Sequence, residues 1–275
     1  MNLPPITMDS AAMAVLMERF APVEALGVML MGSRARGNAG PFSDVDWIRF
    51  APDDEGLPDD GSYLIDGRLV VVSTLTPSAV EAIFSDPIAT CDNLMGLRTG
   101  QILLDRERHL VQLQRRARDF VWDGAMQHKA NAWAAAQMVG IIEEAHKGLE
   151  GLRRNDTGRL LNARFGLSWV LSSIIKVQRG VLLSSDNGTW DEINRVVGET
   201  SAWVRDRWAA FGIDNGTGRP PSLREQVMAG LRLYVETAKM IDHALPEHEG
   251  ELIWATVARI EAELERMEHG KPSLA

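Results

Sequence analysis

Gly32-Ser33-Arg34-Ala35-Arg36-Gly37, then Asn38-Ala39-Gly40-Pro41-Phe42, then Ser43-Asp44-Val45-Asp46, is the stretch whose reading decides the fold of this chain. It follows residues 26–31, a short apolar run whose length and glycine stop predict a buried strand rather than a helix. Glycine at a strand end lets the backbone come close to a phosphate, Ser33 adds a hydroxyl donor, and successive backbone amides form an anion-binding concavity. Arg36 offers a planar fork of donors that neutralises phosphate charge. A second strand is expected to begin near Asp44 and run through Trp47, Ile48 and Phe50. Asp44 and Asp46, two apart on it, then project from one face. Such a pair suits Mg²⁺, which is typically held by one or two carboxylates together with phosphate oxygens and water. Gly-Ser alone is an ordinary turn, and Asp-x-Asp alone is commonly a solvated strand end. The signal lies in their joint occurrence behind a buried strand.

Working outward, residues 9–20 place Met13, Leu16, Met17 and Phe20 at helical spacing behind Asp9 or Ser10 as cap. Residues 51–62, rich in Pro, Asp and Gly, predict an exposed loop. Residues 68–74 carry a β-branched core and predict a third, well-buried strand. Thr76-Pro77 opens a helix with proline at its first position. Strands and helices alternate around one sheet up to about residue 113. From about residue 120 the pattern becomes helical, over 123–149, 157–180, 190–211, 222–244 and 249–269, with breaks at 151–156, 186–188, 214–221 and Pro246. Leu160, Leu167, Leu171 and Ile174 recur at steps that define one buried face. The expected class is α+β: a first domain over 1–118 with a mixed β-sheet flanked by helices, then an antiparallel α-helical bundle over 119–275.

The chain has 275 residues, a formal charge of −9 and one cysteine. The acidic balance argues against broad electrostatic binding to nucleic acid. One cysteine, Cys91, excludes an internal disulfide framework and reads as a small buried residue. No uninterrupted apolar run of bilayer length stands out, and no basic-then-apolar leader, so a soluble cytoplasmic protein without a membrane role is expected. The histidines 109, 128, 146, 243, 248 and 269 share no ligand spacing. The tryptophans 122, 133, 169, 190, 203 and 208 sit mostly in the helical part, where most are expected in the core and one or two along a substrate cleft.

The block at residues 32–46 resembles the signature of the nucleotidyltransferase superfamily that includes DNA polymerase β. Within it, Gly40-Pro41-Phe42-Ser43-Asp44 and the rest of the block look like the kanamycin nucleotidyltransferase family without a gap. The resemblance implies a Mg²⁺-dependent enzyme moving AMP from ATP to a hydroxyl of a small molecule, most closely an aminoglycoside-type antibiotic. It implies Asp44 and Asp46 as catalytic metal ligands, with Gly32, Ser33, Arg36 and Ser43 at the nucleotide. In that family a helical-domain glutamate acts as base and a lysine one turn later contacts the triphosphate; here Glu143 and Lys147 match them. A Glu four residues before a Lys is also the commonest stabilising pair on an exposed helix, and Glu144 is the fallback base. The resemblance further implies a homodimer.

One departure stands out. The family usually carries a third carboxylate on the strand that here reads Arg68-Leu69-Val70-Val71-Val72-Ser73, which has none; Asp66, just before it, is the nearest acid. Alternatives therefore remain open: a nucleotide-binding pseudoenzyme, an AMPylating antitoxin-like protein acting on a protein partner, or a lincosamide nucleotidyltransferase. The acidic clusters Asp53-Asp54-Glu55 and Asp59-Asp60 are candidates for a field that attracts a cationic acceptor.

Overall fold

The computed structural model describes residues 10–52, 57–214 and 216–269. Asp9 and the cluster Asp53-Asp54-Glu55 lie outside them. The chain forms two compact units. The first comprises the described residues up to Trp122 together with Leu182–Gly188; the second comprises Asp123–Val181 and the described residues from Thr189 onward. A linear division at 118/119 places the segment 182–188 with the helices, whereas it packs with the first unit.

The first unit is built on a five-stranded mixed sheet in the order β3-β4-β2-β1-β5, with β1 at Gly27–Met31, β2 at Val45–Phe50, β3 at Gly61–Ile65, β4 at Arg68–Leu75 and β5 at Gln101–Asp105. Strands β2 and β4 run parallel; the other neighbours are antiparallel. Side chains of successive strand residues point to opposite faces. Val28, Leu30, Val45, Trp47, Val70 and Val72 thus form one core with Leu16 and Phe20 of α1 (Ser10–Phe20). On the other face Met29 and Phe50 meet α3 (Pro77–Ser85), α4 (Pro87–Thr99) and α5 (His109–Asp119) through Val80, Ile83, Leu94, Leu97 and Leu110. Asp46 falls on this second face, between Met31 and Ile48.

Strand β3 occupies the end of the stretch that composition predicts as loop. Ile65 pairs with Arg68, leaving Asp66 and Gly67 as a two-residue turn at φ 48° and 73°, the left-handed pair such a hairpin requires. Asp60 is no free surface acid. Its carboxylate accepts from the buried Arg49 at 2.7 Å and from Thr74 N and Oγ1 at 2.8 and 2.7 Å. Burial works against its ionisation, but the Thr74 and Arg49 bonds outweigh that and hold its pKa below the usual carboxylate value.

The second unit contains α6 (Gly124–Gly140), α7 (Ile142–Arg154), α8 (Thr157–Gln178), α9 (Thr189–Val197), α10 (Ala202–Ala210), α11 (Leu223–Ile241) and α12 (Glu247–Glu268). Two predicted helices are each two. The 123–149 stretch breaks at Ile141, and the 190–211 stretch breaks at Gly198, whose φ of 101° no helix accommodates. Helix α8 packs against α6, α7 and α11. It is long and apolar enough to cross a membrane by length and composition alone, but half of that stretch is buried. At the bundle's centre Arg207 is fully buried. It donates to Ser172 Oγ at 3.0 Å, Trp190 O at 3.0 Å and Asn194 Oδ1 at 2.7 Å, and lies 4.7 Å from the Trp190 ring centre. Trp190 also stacks on Trp208 at 5.5 Å. Burial pushes the guanidinium down to about 10, against the pull of Asp191, so it stays charged at neutral pH.

Replacing this arginine leaves buried acceptors unpaired. Arg207→Met is expected to lower stability by about 3 kcal/mol, read as a shifted urea midpoint with unchanged slope. Arg207→Lys should not restore it, because a point charge cannot reproduce the planar fork.

Candidate functional site

Met31, the last residue of β1, stands opposite Asp46 in the antiparallel pairing with β2. The next residue must leave the sheet beside that carboxylate. Gly32 does so at φ 66°, and a Cβ added to it would lie 1.8 Å from Asp46 Oδ2. Any other residue would be strained and in collision at once. The chain then makes one helical turn, α2 (Gly32–Ala35). Arg34 reaches back from it, its Nε donating to Asp44 O at 2.9 Å and its Nη2 to Ser43 O at 2.7 Å. Gly40 N donates to Ser43 Oγ at 2.9 Å, and Ser43 N to Gly40 O at 3.1 Å. Arg34, to which the sequence reading gave no role, is thus the clamp that fixes the loop; Ser43 closes its last turn.

Gly32, Ser33, Arg36, Ser43, Asp44 and Asp46 line one cavity of about 780 Å³. Asp44 lies one residue before β2 rather than on it. Phe42, also on the lining, is fully exposed. The far wall comes from residues the sequence reading did not single out: Asp92, Asn93 and Gly96 of α4, and residues 183–187. The only sequence trace of the latter is the Ser184-Ser185-Asp186-Asn187-Gly188 string, which reads as a helix break.

Burial pushes the Asp46 carboxyl above its ordinary value; the negative charge of Asp44 adds to this, Arg36 opposes it, and Asp186 adds a further push. Among the described residues no three Asp, Glu, His or Cys side chains stand close enough to hold one ion together. The two carboxylates that the 32–46 block brings to the cavity, Asp44 and Asp46, are hard oxygen donors. That set fits Mg²⁺, whose other positions water and phosphate oxygens fill, and the space left by the absent Gly32 side chain keeps the Asp46 carboxylate at the glycine turn. Strand β4 supplies no acid: Val71 is the residue paired with Asp46. Asp66, in the hairpin turn, does not line this cavity.

Glu143, Glu144 and Lys147 lie on α7 in the second unit. Lys147 Nζ is 3.0 Å from Glu143 Oε1 and 2.9 Å from Glu144 Oε1. Its bonds to Glu144 first and Glu143 second hold the ammonium pKa above its ordinary value. The Glu143 side chain is 76% exposed and that of Glu144 26%. Glu144 is packed against Gly166 of α8, where a Cβ would come within 2.8 Å of Glu144 Cγ, and its Oε2 is buried without a hydrogen-bond partner. The two candidate bases therefore differ sharply in environment.

Two outcomes are expected from the turn and its carboxylate. Gly32→Ala should destabilise the protein by about 2 to 3 kcal/mol, adding collision to backbone strain, whereas Gly37→Ala, at φ 72° in open space, should cost only the strain of about 1 kcal/mol. Denaturant titration of both variants separates the terms. Asp46, with a folded pKa raised above its unfolded 3.8, contributes stability below pH 3.8 that is lost as pH rises through the folded value. In metal-free buffer at pH 7, Asp46→Asn should therefore raise Tm above wild type, and the gap should close as the buffer is taken toward pH 3. A lower Tm at pH 7 would contradict the repulsive picture.

No family model matches the chain, and no curated protein matches it. Among solved structures the chain is similar to a nucleotidyltransferase-like protein from Exiguobacterium sibiricum, at 13% identity and a TM-score of 0.46, over 94% of this chain and 79% of that one.

Proposed function

We propose that this protein is a Mg²⁺-dependent nucleotidyltransferase that moves AMP from ATP to a hydroxyl of a small molecule, an aminoglycoside-type antibiotic being the acceptor class. The observation that carries the reading is the convergence of Gly32, Ser33, Arg36, Asp44 and Asp46 on one cavity large enough for a nucleotide. Asp44 and Asp46 would hold the cation, whose chemistry is to offset the charge that grows on the departing pyrophosphate.

The chain's own residues do the rest. Ser33 and Arg36 bind the phosphates, and the side-chain-free turn at Gly32 lets them approach the backbone. Arg34 acts at one remove, keeping the Ser43 and Asp44 backbone in place. The exposed ring of Phe42 offers the base a stacking surface. The acceptor oxygen forms the new bond to the α-phosphorus as the bond to pyrophosphate breaks, and its proton passes to a general base, the role for which the resemblance offers Glu143, the more exposed acid of the α7 pair. The resemblance likewise offers Lys147, paired with Glu143 and Glu144, as the triphosphate contact. Catalysis in this scheme is mostly alignment and electrostatic stabilisation.

A second reading, nucleotide binding without transfer, is favoured by one observation: Val71, not an acid, stands beside Asp46 on β4. Incubating the protein with Mg²⁺, ATP and a panel of aminoglycosides and lincosamides, and weighing each acceptor by mass spectrometry, separates the two. An added AMP is expected on an aminoglycoside, and Asp46→Asn should abolish it while leaving the circular dichroism spectrum unchanged. A fully active Asp46→Asn protein would remove the metal assignment, and nucleotide binding with no product on any acceptor would establish the second reading.

A further inference from the structure

The connection between α8 and α9 does not run directly from helix to helix. Seven residues, Leu182–Gly188, pack with the sheet-bearing unit instead. Leu182 lies against the core that contains Met29, Leu94 and Leu97, and Leu183 N donates to Cys91 O at 2.8 Å. Gly188 N donates to Ser185 O at 2.9 Å and lies 3.2 Å from Ser185 Oγ, closing a turn with Asp186 and Asn187 inside it. This anchoring brings Asp186 to the wall of the cavity that Asp44 and Asp46 line.

A third carboxylate beside two others is unfavourable by like-charge repulsion unless a cation sits among them. Arg36, Asp44, Asp46 and Asp186 line this one cavity together. The three acids do not converge closely enough to ligate one ion directly. Mg²⁺ keeps several of its waters when bound by few carboxylates, and a carboxylate across the cavity accepts hydrogen bonds from such waters. Groups that orient ligands in this outer position carry a substantial share of metal affinity. The neighbouring strand leaves that role open, since Leu69 and Val71 are its residues beside the site.

We propose that Asp186 is the third acidic group of this site, a positioning residue that holds the water shell of a divalent cation bound by Asp44 and Asp46. The proposal rests on the metal-binding part of the function proposed above. It assigns a functional role to a helix connection that, by sequence, is only a break.

The test uses the full chain, with Mn²⁺ as the probe, followed by electron paramagnetic resonance and calorimetry. Asp186→Asn is expected to weaken Mn²⁺ binding about tenfold, and Asp186→Glu to restore it to within about twofold of wild type. Nucleotide binding supplies a second readout with opposite signs. With one negative charge removed, the Asn variant should bind metal-free ATP in chelator more tightly than wild type, yet bind ATP with Mg²⁺ more weakly. A merely structural role would weaken both together, and that result overturns the proposal, as does a Mn²⁺ affinity equal to wild type. If Asp186→Asn folds poorly by circular dichroism, Asp186→Ser carries the same comparison. Should wild type bind no Mn²⁺, the parent reading falls with the proposal. Should Asp46→Asn lose Mn²⁺ while Asp186→Asn keeps it, only the role of Asp186 falls.

Discussion

The antiparallel register of β1 and β2 puts the carboxylate of Asp46 where the side chain of residue 32 would be, and the first unit's cavity is organised around that exclusion. Met31 faces Asp46 across the pair, so the chain reaches the end of β1 with an acid at its side. Only a residue without a Cβ, and able to take a left-handed φ, can turn away there. The turn then begins at once, as the single helical turn α2, and Arg34 is aimed back at the Ser43 and Asp44 carbonyls. The loop before β2 is thus fixed at both ends, by pairing on one side and by a guanidinium clamp on the other. Asp44 is placed by that clamp, not by strand alternation. The two acids are brought together by different forces, although the sequence spacing suggests one.

Charge is handled in opposite ways on the two faces of the sheet. On the α1 face, the buried Arg49 meets Asp60 and Thr74, and the acid there is held ionised by its partners. On the other face Asp46 is half-buried, with Asp44 and Asp186 adding like charge and Arg36 as the counterweight. A protein whose only concern was stability would pair Asp46 as it pairs Asp60. The unfavourable electrostatics sit beside a glycine turn lining a large cavity, and a local cost of this kind at a concave site points to a ligand.

Much of this was legible from residue order. The apolar run before Gly32, the β-branched run over 68–74 and the helical period of the C-terminal part each obey one dominant rule, hydrophobic periodicity; the two strands appear within a residue of their expected places, whereas α7 runs on to Arg154, into the break expected at 151–156. The α+β class, with a mixed sheet followed by helices, followed from these. Misreadings occurred where a second rule overrode the first. Strand β3 was hidden because turn-forming composition upstream masked a short edge strand of five residues, paired with Arg68–Val72 of β4. The breaks at Ile141 and Gly198 are marked in the sequence only by the lone glycines 140 and 198, and an isolated glycine is tolerated within a helical pattern. Of the candidate site, the six candidates from the 32–46 block are local in sequence and line the cavity together. Arg34 was passed over because a clamp on backbone carbonyls leaves no motif. Asp92 and residues 183–187 were missed for a different reason: they reach the cavity only through tertiary packing, and a lone Asp in a Ser-Asn-Gly turn is indistinguishable from any helix connection.

That last class of residue carries a structural consequence. The sheet-bearing unit is discontinuous in sequence, and its seven-residue second piece is flanked on both sides by helices of the other unit. The piece contributes Leu182, packed against the core, the buried Leu183 and a backbone bond to Cys91, so it is part of the unit's stability as well as of its cavity. Loops gain such anchoring only where the ordering cost is offset, because fixing each backbone residue costs about 1 to 2 kcal/mol. Two leucines and the bond to Cys91 offset only part of that cost for seven residues. A direct connection from α8 to α9 would avoid it altogether. The detour is therefore better explained by what it presents to the cavity than by what it adds to the fold, and it ties completion of the cavity to a chain that has already passed through α8.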